Sequence, residues 1–141
     1  MNKTTLDMVR EFHTKFNAVT KETPTFEDDI VNNFRVDFLQ EELDELKEAI
    51  ANNDYVETLD ALIDLQYVLD GTFLALGFHT LKDEGFDEVH RSNMSKLGAD
   101  GNPILREEDG KILKGPNYFK PDLAKILFNK FPHLKKEKNA A

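Results

Sequence analysis

The sequence predicts an all-α fold: an antiparallel helical bundle of four to five helices, completed by oligomerisation, with a C-terminal irregular loop or small hairpin. Three observations lead there. Apolar residues recur at spacings of three and four through most of the stretch from Thr5 to Leu97. Capping residues and a glycine stop bracket the longest periodic segments. Between Leu59 and Phe78 most of the helix circumference is apolar, which marks a central helix.

The first helix is read over Thr5 to Phe16, where Leu6, Val9, Phe12 and Phe16 keep helical spacing. His13, beside Phe12 and Phe16, is a packing or surface histidine rather than a ligand. Asn17 to Asp29 form a connection, because Pro24 disfavours helix at Thr23. A second helix runs from about Ile30 to Ala51 and stops at Asn52-Asn53, which compete for backbone hydrogen bonds and tolerate left-handed backbone. A third starts near Asp54, an N-cap with Glu57 completing the capping-box pattern. It continues to Leu76, with Gly77 as its C-cap. Gly71 inside it costs about 1 kcal/mol of helix propensity relative to alanine, which predicts close packing there. The very short link makes these two helices antiparallel neighbours.

A fourth, shorter helix fits Phe86 to Leu97. Beyond it, Asp100-Gly101, Asp109-Gly110 and Gly115-Pro116-Asn117 punctuate the chain. The apolar pairs Ile104-Leu105 and Ile112-Leu113 make either a small irregular hairpin or an ordered loop. Lys120-Pro121-Asp122 opens a last short helix with Pro121 at its first position, carrying Leu123, Ile126 and Leu127. The lysine-rich tail after His133 is expected to fray. The reading is a single domain over residues 1–141 with its core at 30–122, without internal repeats.

The 141 residues, 40% hydrophobic and 32% charged, have the balance of a folded chain rather than a disordered one. Asp60, Asp64, Gln66 and Asp70 interrupt the greasiest segment, so no membrane span is expected. The N-terminus lacks signal-peptide features. With no cysteine there is no disulfide framework and no thiolate chemistry, and the cytoplasm is the expected location. The formal net charge of −9, from 27 acids against 18 Lys and Arg, argues against a nonspecific grip on nucleic acid, which needs a basic face. A polyanionic small ligand fits if metal ions stand between it and the protein.

Where the acids fall is more informative than their number. On the second helix Glu42 and Glu45 lie between Leu39, Leu43, Leu46 and Ile50 on one side and Phe34, Phe38 and Ala49 on the other, with Glu41 just outside. On the third helix Glu57, Asp60 and Asp64 form one narrow stripe on an otherwise greasy cylinder. Carboxylates on faces that packing should bury must pair, protonate or bind metal. Arg35 can answer one of them, while Lys47 points away. The remainder suit hard divalent cations, Mg²⁺ first and Mn²⁺ second. A salt-bridged surface face is the plainer alternative. The sequence lacks the Glu-x-x-His repeats of a di-iron bundle, Asp87-x-x-His90 being only a distant relative, and has no His-Glu-x-x-His zinc motif.

Glu41-Glu42-x-x-Glu45, followed by Glu57-x-x-Asp60 and Asp60-x-x-x-Asp64, resembles the all-α nucleoside triphosphate pyrophosphohydrolase superfamily. That group includes MazG proteins, dimeric dUTPases and phosphoribosyl-ATP pyrophosphohydrolase. His90 to Lys96, with Asp100-Gly101, Asp109-Gly110-Lys111 and Lys114-Gly115-Pro116-Asn117-Tyr118, is similar to the C-terminal part of the phosphoribosyl-ATP pyrophosphohydrolase-like branch. The resemblance implies Mg²⁺ held by Glu42, Glu45 and either Glu57 with Asp60 or Asp60 with Asp64. It implies hydrolysis of a nucleotide substrate between its α and β phosphates, in a homodimer or dimer of dimers.

Under this reading Glu41 or Glu42 orients or deprotonates the attacking water. Asn93 meets phosphate or sugar, and Lys96, Lys111 and Lys114 meet phosphates as point charges. Tyr118, or one of Phe34 and Phe38, offers a surface for the base. Arg91 reaches a phosphate or pairs with Asp87 or Glu88, and His90 caps, packs or assists the leaving group. A noncatalytic metal- or nucleotide-binding oligomerisation module is the competing class.

Overall fold

The computed structural model describes residues 2–26 and 28–135. It bears out the all-α class. Among the described residues five helices follow in order: α1 (Thr5–Lys15), α2 (Asp29–Ala51), α3 (Tyr55–Leu76), α4 (Lys82–Met94) and α5 (Leu123–Lys130), with a 3₁₀ turn at His79–Leu81 before α4. Among the described residues the only β pairing is one isolated antiparallel bridge, Leu105 to Ile112. The chain divides into two compact units, Met1–Thr80 and Leu81–Ala141. The lysine-rich tail lies, from position 136 onward, outside the described residues.

In the first unit each helix begins at a side chain that satisfies otherwise orphaned backbone N–H groups. Thr4 accepts from the Asp7 amide at 3.1 Å while Asp7 accepts from the Thr4 amide at 3.0 Å, a reciprocal capping box. Asp28 accepts from Ile30 and Val31. Asp54 accepts from the Glu57 amide at 3.0 Å, the predicted N-cap, while its own amide donates to the Ala49 carbonyl rather than to Glu57. Between α2 and α3 the turn passes through Asn53 at φ 53°, a left-handed conformation that asparagine tolerates. At the other end of α3, Gly77 takes φ 80°. A Cβ there would stand 2.2 Å from the Thr23 carbonyl oxygen, so the stop signal also makes room for the α1–α2 connection. That connection satisfies the last carbonyls of α3: Lys21 donates to Leu74 and Thr25 to Leu76.

Helix α3 packs against both α1 and α2. Val9, Ala49, Ala61, Val68, Leu74 and Ala75 form the buried apolar core of this unit. His13 is buried, its Nδ1 2.9 Å from the Val19 carbonyl oxygen, and is therefore a packing histidine. Large apolar side chains nevertheless stay exposed on α2 and α3, among them Phe34, Leu43, Ile50, Leu59, Leu62 and Ile63. Among the described residues no single helix is long and apolar enough to cross a membrane.

In the second unit the element boundaries differ from expectation. Helix α4 begins at Lys82, not Phe86, because the chain enters it through the 3₁₀ turn and Leu81 offers no side-chain cap for sequence reasoning to recognise. It ends at Met94 rather than Leu97, where Ser95 Oγ turns back onto the Ser92 carbonyl. Asp122, not Lys120, caps α5 by accepting from the Lys125 amide at 3.1 Å, so Pro121 stands before the helix instead of at its first position. Between these helices the chain forms the irregular hairpin in minimal form. Arg106 donates to Lys111 and Leu113 to Ile104 through their backbones, and the Arg106 guanidinium clasps Asp109 across the tip.

Candidate metal and active site

Three carboxylates converge in the first unit. Glu42 and Glu45 stand three residues apart on one face of α2. The short turn folds α3 back so that Asp64 meets them. One oxygen from each of Glu42, Glu45 and Asp64 lies within 4.8 Å of the other two. Glu42 is buried at 8% exposure, Asp64 is half-buried and Glu45 opens to solvent.

The cluster has no internal neutralisation. None of the ion pairs among the described residues involves these three side chains. Glu42 Oε2 is buried without a hydrogen-bond partner, a position that a charged oxygen occupies only at considerable cost. Burial, and then the charges of Glu45 and Asp64, push the Glu42 carboxyl above its ordinary range. Asp64 is pushed up as well, first by burial and then by Asp60 and Glu45. An all-oxygen donor set with crowded negative charge and an orphaned inward-facing oxygen fits a hard divalent cation.

The expectation that Arg35 answers one of the acids does not hold. Its Nε donates to Thr72 Oγ1 at 3.2 Å and its Nη2 to the Val68 carbonyl at 2.8 Å. The rings of Phe34 and Phe38 lie 5.9 and 5.5 Å from its guanidinium carbon. Arg35 shares an angular face with Glu42 but sits two helical turns away along the axis, opposite a later part of α3. Two of the candidate base platforms are thus its flanking rings.

The remaining acids sit around the cluster. Glu41 is exposed, and its charge adds to those raising Glu42. Asp60 lies outside the three-residue set yet close enough to act on Asp64. Glu57 shares a hollow of about 340 Å³ with Glu45, Glu48 and Asp54 at the α2–α3 turn.

Apart from Phe34 and Phe38, the predicted substrate-contacting residues belong to the second unit. Asn93, one residue before the end of α4, is exposed. Lys96 is half-buried just after it, and its carbonyl accepts the Gly115 amide at 2.9 Å. A Cβ at Gly115 would stand 2.1 Å from the Leu97 carbonyl oxygen, so only glycine lets the two segments meet. Next to it, the Lys114 ammonium lies 4.8 Å from the centre of the Tyr118 ring. Arg91 pairs with Glu88 at 2.7 Å and covers the Phe119 ring at 4.4 Å. Lys111 and His90 are exposed.

Two buried polar residues escaped the sequence reading. Asp70, 1% exposed, accepts from Gln66 through one oxygen and leaves the other without a partner. His79 holds Glu22 through Nε2 at 3.2 Å, while its buried Nδ1 has no partner. The interruption of a greasy helix by Asp70 was the only available signal; His79 gave none.

A helical hairpin that brings unpaired carboxylates of two helices together is the arrangement that the resemblance to the all-α nucleoside triphosphate pyrophosphohydrolase superfamily implies. The phosphoribosyl-ATP pyrophosphohydrolase family matches residues 9–93, more than half of the chain, and the protein belongs to that family. The matched stretch contains Glu41, Glu42, Glu45, Glu57, Asp60 and Asp64 and stops before Lys96, Lys111, Lys114 and Tyr118. None of the curated proteins matches the sequence. Among solved structures, a proposed NTP pyrophosphohydrolase from Exiguobacterium sp. 255-15 is similar at 23% identity, covering 97% of this chain and 99% of that one with a TM-score of 0.47.

Proposed function

We propose that this chain is a Mg²⁺-dependent hydrolase that cleaves a nucleoside triphosphate or related nucleotide between its α and β phosphates, yielding the monophosphate and pyrophosphate. The observation that carries the reading is the set Glu42, Glu45 and Asp64, brought within 4.8 Å of one another with a buried, partnerless oxygen and no basic neighbour. These three would hold the cation, with Asp60 beside Asp64 and Glu57 across the turn available to extend the site; Mn²⁺ suits the same donors. When bound, Mg²⁺ supplies charge neutralisation for the polyphosphate and a water of lowered pKa.

The chain's own residues do the rest. Glu41, exposed and outside the three-residue set, is the carboxylate free to orient water and hold its proton. Glu42 is less suited to that task, because its crowded surroundings favour giving its charge to a cation. From the second unit, Lys96, Lys111 and Lys114 are the phosphate-contacting candidates and Asn93 meets phosphate or sugar. Tyr118 offers its ring to the base once Lys114 leaves it. Arg91 keeps a weaker claim, since Glu88 and Phe119 already engage it. The exposed apolar side chains of α2 and α3 support a homodimer or dimer of dimers.

The test is incubation with Mg²⁺ and a panel of standard and modified nucleoside triphosphates, with products identified. Pyrophosphate and monophosphate that disappear in Glu45→Ala and Asp64→Ala are expected. Orthophosphate as the product, or cation binding without turnover of any nucleotide, would overturn the assignment; the second result would leave a metal-binding module. Sedimentation of the intact chain reads the assembly.

A further inference from the structure

A buried arginine with no acidic partner is an expensive choice for the middle of a helix pair. Arg35 is 7% exposed, and among the described residues no carboxylate pairs with it. An apolar residue of similar length would fill the same space without desolvating a charge. What an apolar residue could not do is bond to α3. Arg35 Nε donates to Thr72 Oγ1, Thr72 Oγ1 donates to the Val68 carbonyl at 2.7 Å, and Arg35 Nη2 donates to that same carbonyl. The three form a closed ring between two helices. Gly71 makes the space: a Cβ there would stand 2.5 Å from Arg35 Nη2 and 2.9 Å from His13 Nε2. This is the close packing that the glycine's cost in helix propensity foreshadowed.

We propose that Arg35, Gly71 and Thr72 form a register lock between α2 and α3 that holds Glu42 and Glu45 opposite Asp64. The proposal rests on the metal-site reading given above. A guanidinium has fixed donor directions, so its two bonds to fixed acceptors define one axial and one rotational setting of the helix pair. The apolar contacts between the same helices are nondirectional and would accept small slips. A cation cradle does not, since its donors must be held to within about 0.5 Å. Arg35 is therefore a positioning residue, two turns from the acids, acting through the helix on which Glu42 and Glu45 stand.

The experiment compares the intact protein with Thr72→Val, Thr72→Ser, Arg35→Lys and Glu45→Gln. It reads Mn²⁺ affinity from the free-ion paramagnetic resonance signal and stability from thermal unfolding, with affinities measured well below every melting temperature. Thr72→Val keeps the shape but removes both hydroxyl bonds; it and Arg35→Lys are expected to weaken Mn²⁺ binding about tenfold, the lower end of what outer-shell losses cause. Thr72→Ser restores the hydroxyl and should bind nearly as tightly as the original. Variants that melt earlier but keep full Mn²⁺ affinity would make Arg35 merely structural and overturn the lock. If the original protein fails to bind Mn²⁺, or Glu45→Gln binds it equally well, the metal-site reading itself falls and takes the lock with it. Should Arg35→Lys not fold, the two Thr72 variants decide alone.

Discussion

Replacing Glu42 with glutamine keeps the side chain's shape and removes one of three crowded charges, so it should stabilise the metal-free protein at neutral pH. At the 4.8 Å bound on the oxygen separations, one pair of full charges repels by about 0.9 kcal/mol in a water-like dielectric and about 3.5 kcal/mol at an effective dielectric of 20. Glu45 is exposed and screened, which places its share near the lower figure, while half-buried Asp64 falls between. The net gain expected for Glu42→Gln is about 1–3 kcal/mol, or about 3–10 °C in melting temperature for a chain of this size.

The sign of the pH dependence follows from the raised Glu42 pKa. The native state binds this proton more tightly than the unfolded state does, so the native form loses stability as pH rises through the raised pKa. The advantage of Glu42→Gln therefore grows as pH rises through the raised range of Glu42 and closes as pH falls toward the ordinary glutamate value of about 4.3. Thermal unfolding in chelator and low salt, at fixed protein concentration, measures it. Adding Mg²⁺ should reverse the order, because only the original protein gains binding energy in its native state. A Glu42→Gln protein that is less stable than the original in chelator, or whose advantage ignores pH, would refute the repulsive cluster.

Other consequences are open to measurement. At pH values within the raised range of Glu42 and Asp64, Mn²⁺ binding should release protons, because both must ionise to ligate; calorimetry in two buffers of different ionisation enthalpy reads the number, and affinity should fall as pH drops through that range. Glu45→Gln and Asp64→Asn should each lower the rate of pyrophosphate release by about a hundredfold or more, the scale of a lost electrostatic contact, with Glu57→Gln well below them. Gly115→Ala should lower both the melting temperature and kcat/KM, because its Cβ would meet the Leu97 and Lys96 backbone and push the Lys114–Tyr118 segment away from it. Gly77→Ala should destabilise the first unit by about 1 kcal/mol or more, since the new methyl meets Thr23 backbone at a positive φ.

The α2–α3 hairpin was legible because its signals are local: helical period, Asp54, Asn52-Asn53 and Gly77 each act within a few residues. The same locality made Glu42, Glu45 and Asp64 visible as acids on the wrong face. Angular position was recoverable, axial position was not. That is why Arg35 was paired with the acids, and why the stripe of Glu57, Asp60 and Asp64 did not reveal which member lies nearest Glu42 and Glu45. Close packing at Gly71 was readable from the glycine alone, whereas Arg35 and His13 reach it from elsewhere in the chain. The start of α4 was misplaced because its entry carries no capping side chain, and the burial of Asp70 and His79 depends wholly on distant neighbours.

Every member of the converging acid trio belongs to one stretch of chain that reverses on itself through the Asn52–Asp54 bend. Gathering them needs only local helix formation and a three-residue bend, so the entropic cost of bringing them together is modest and can be met early in folding. The trio is therefore a single contiguous cassette, and its three carboxylates can be brought together without any residue beyond the α2–α3 pair.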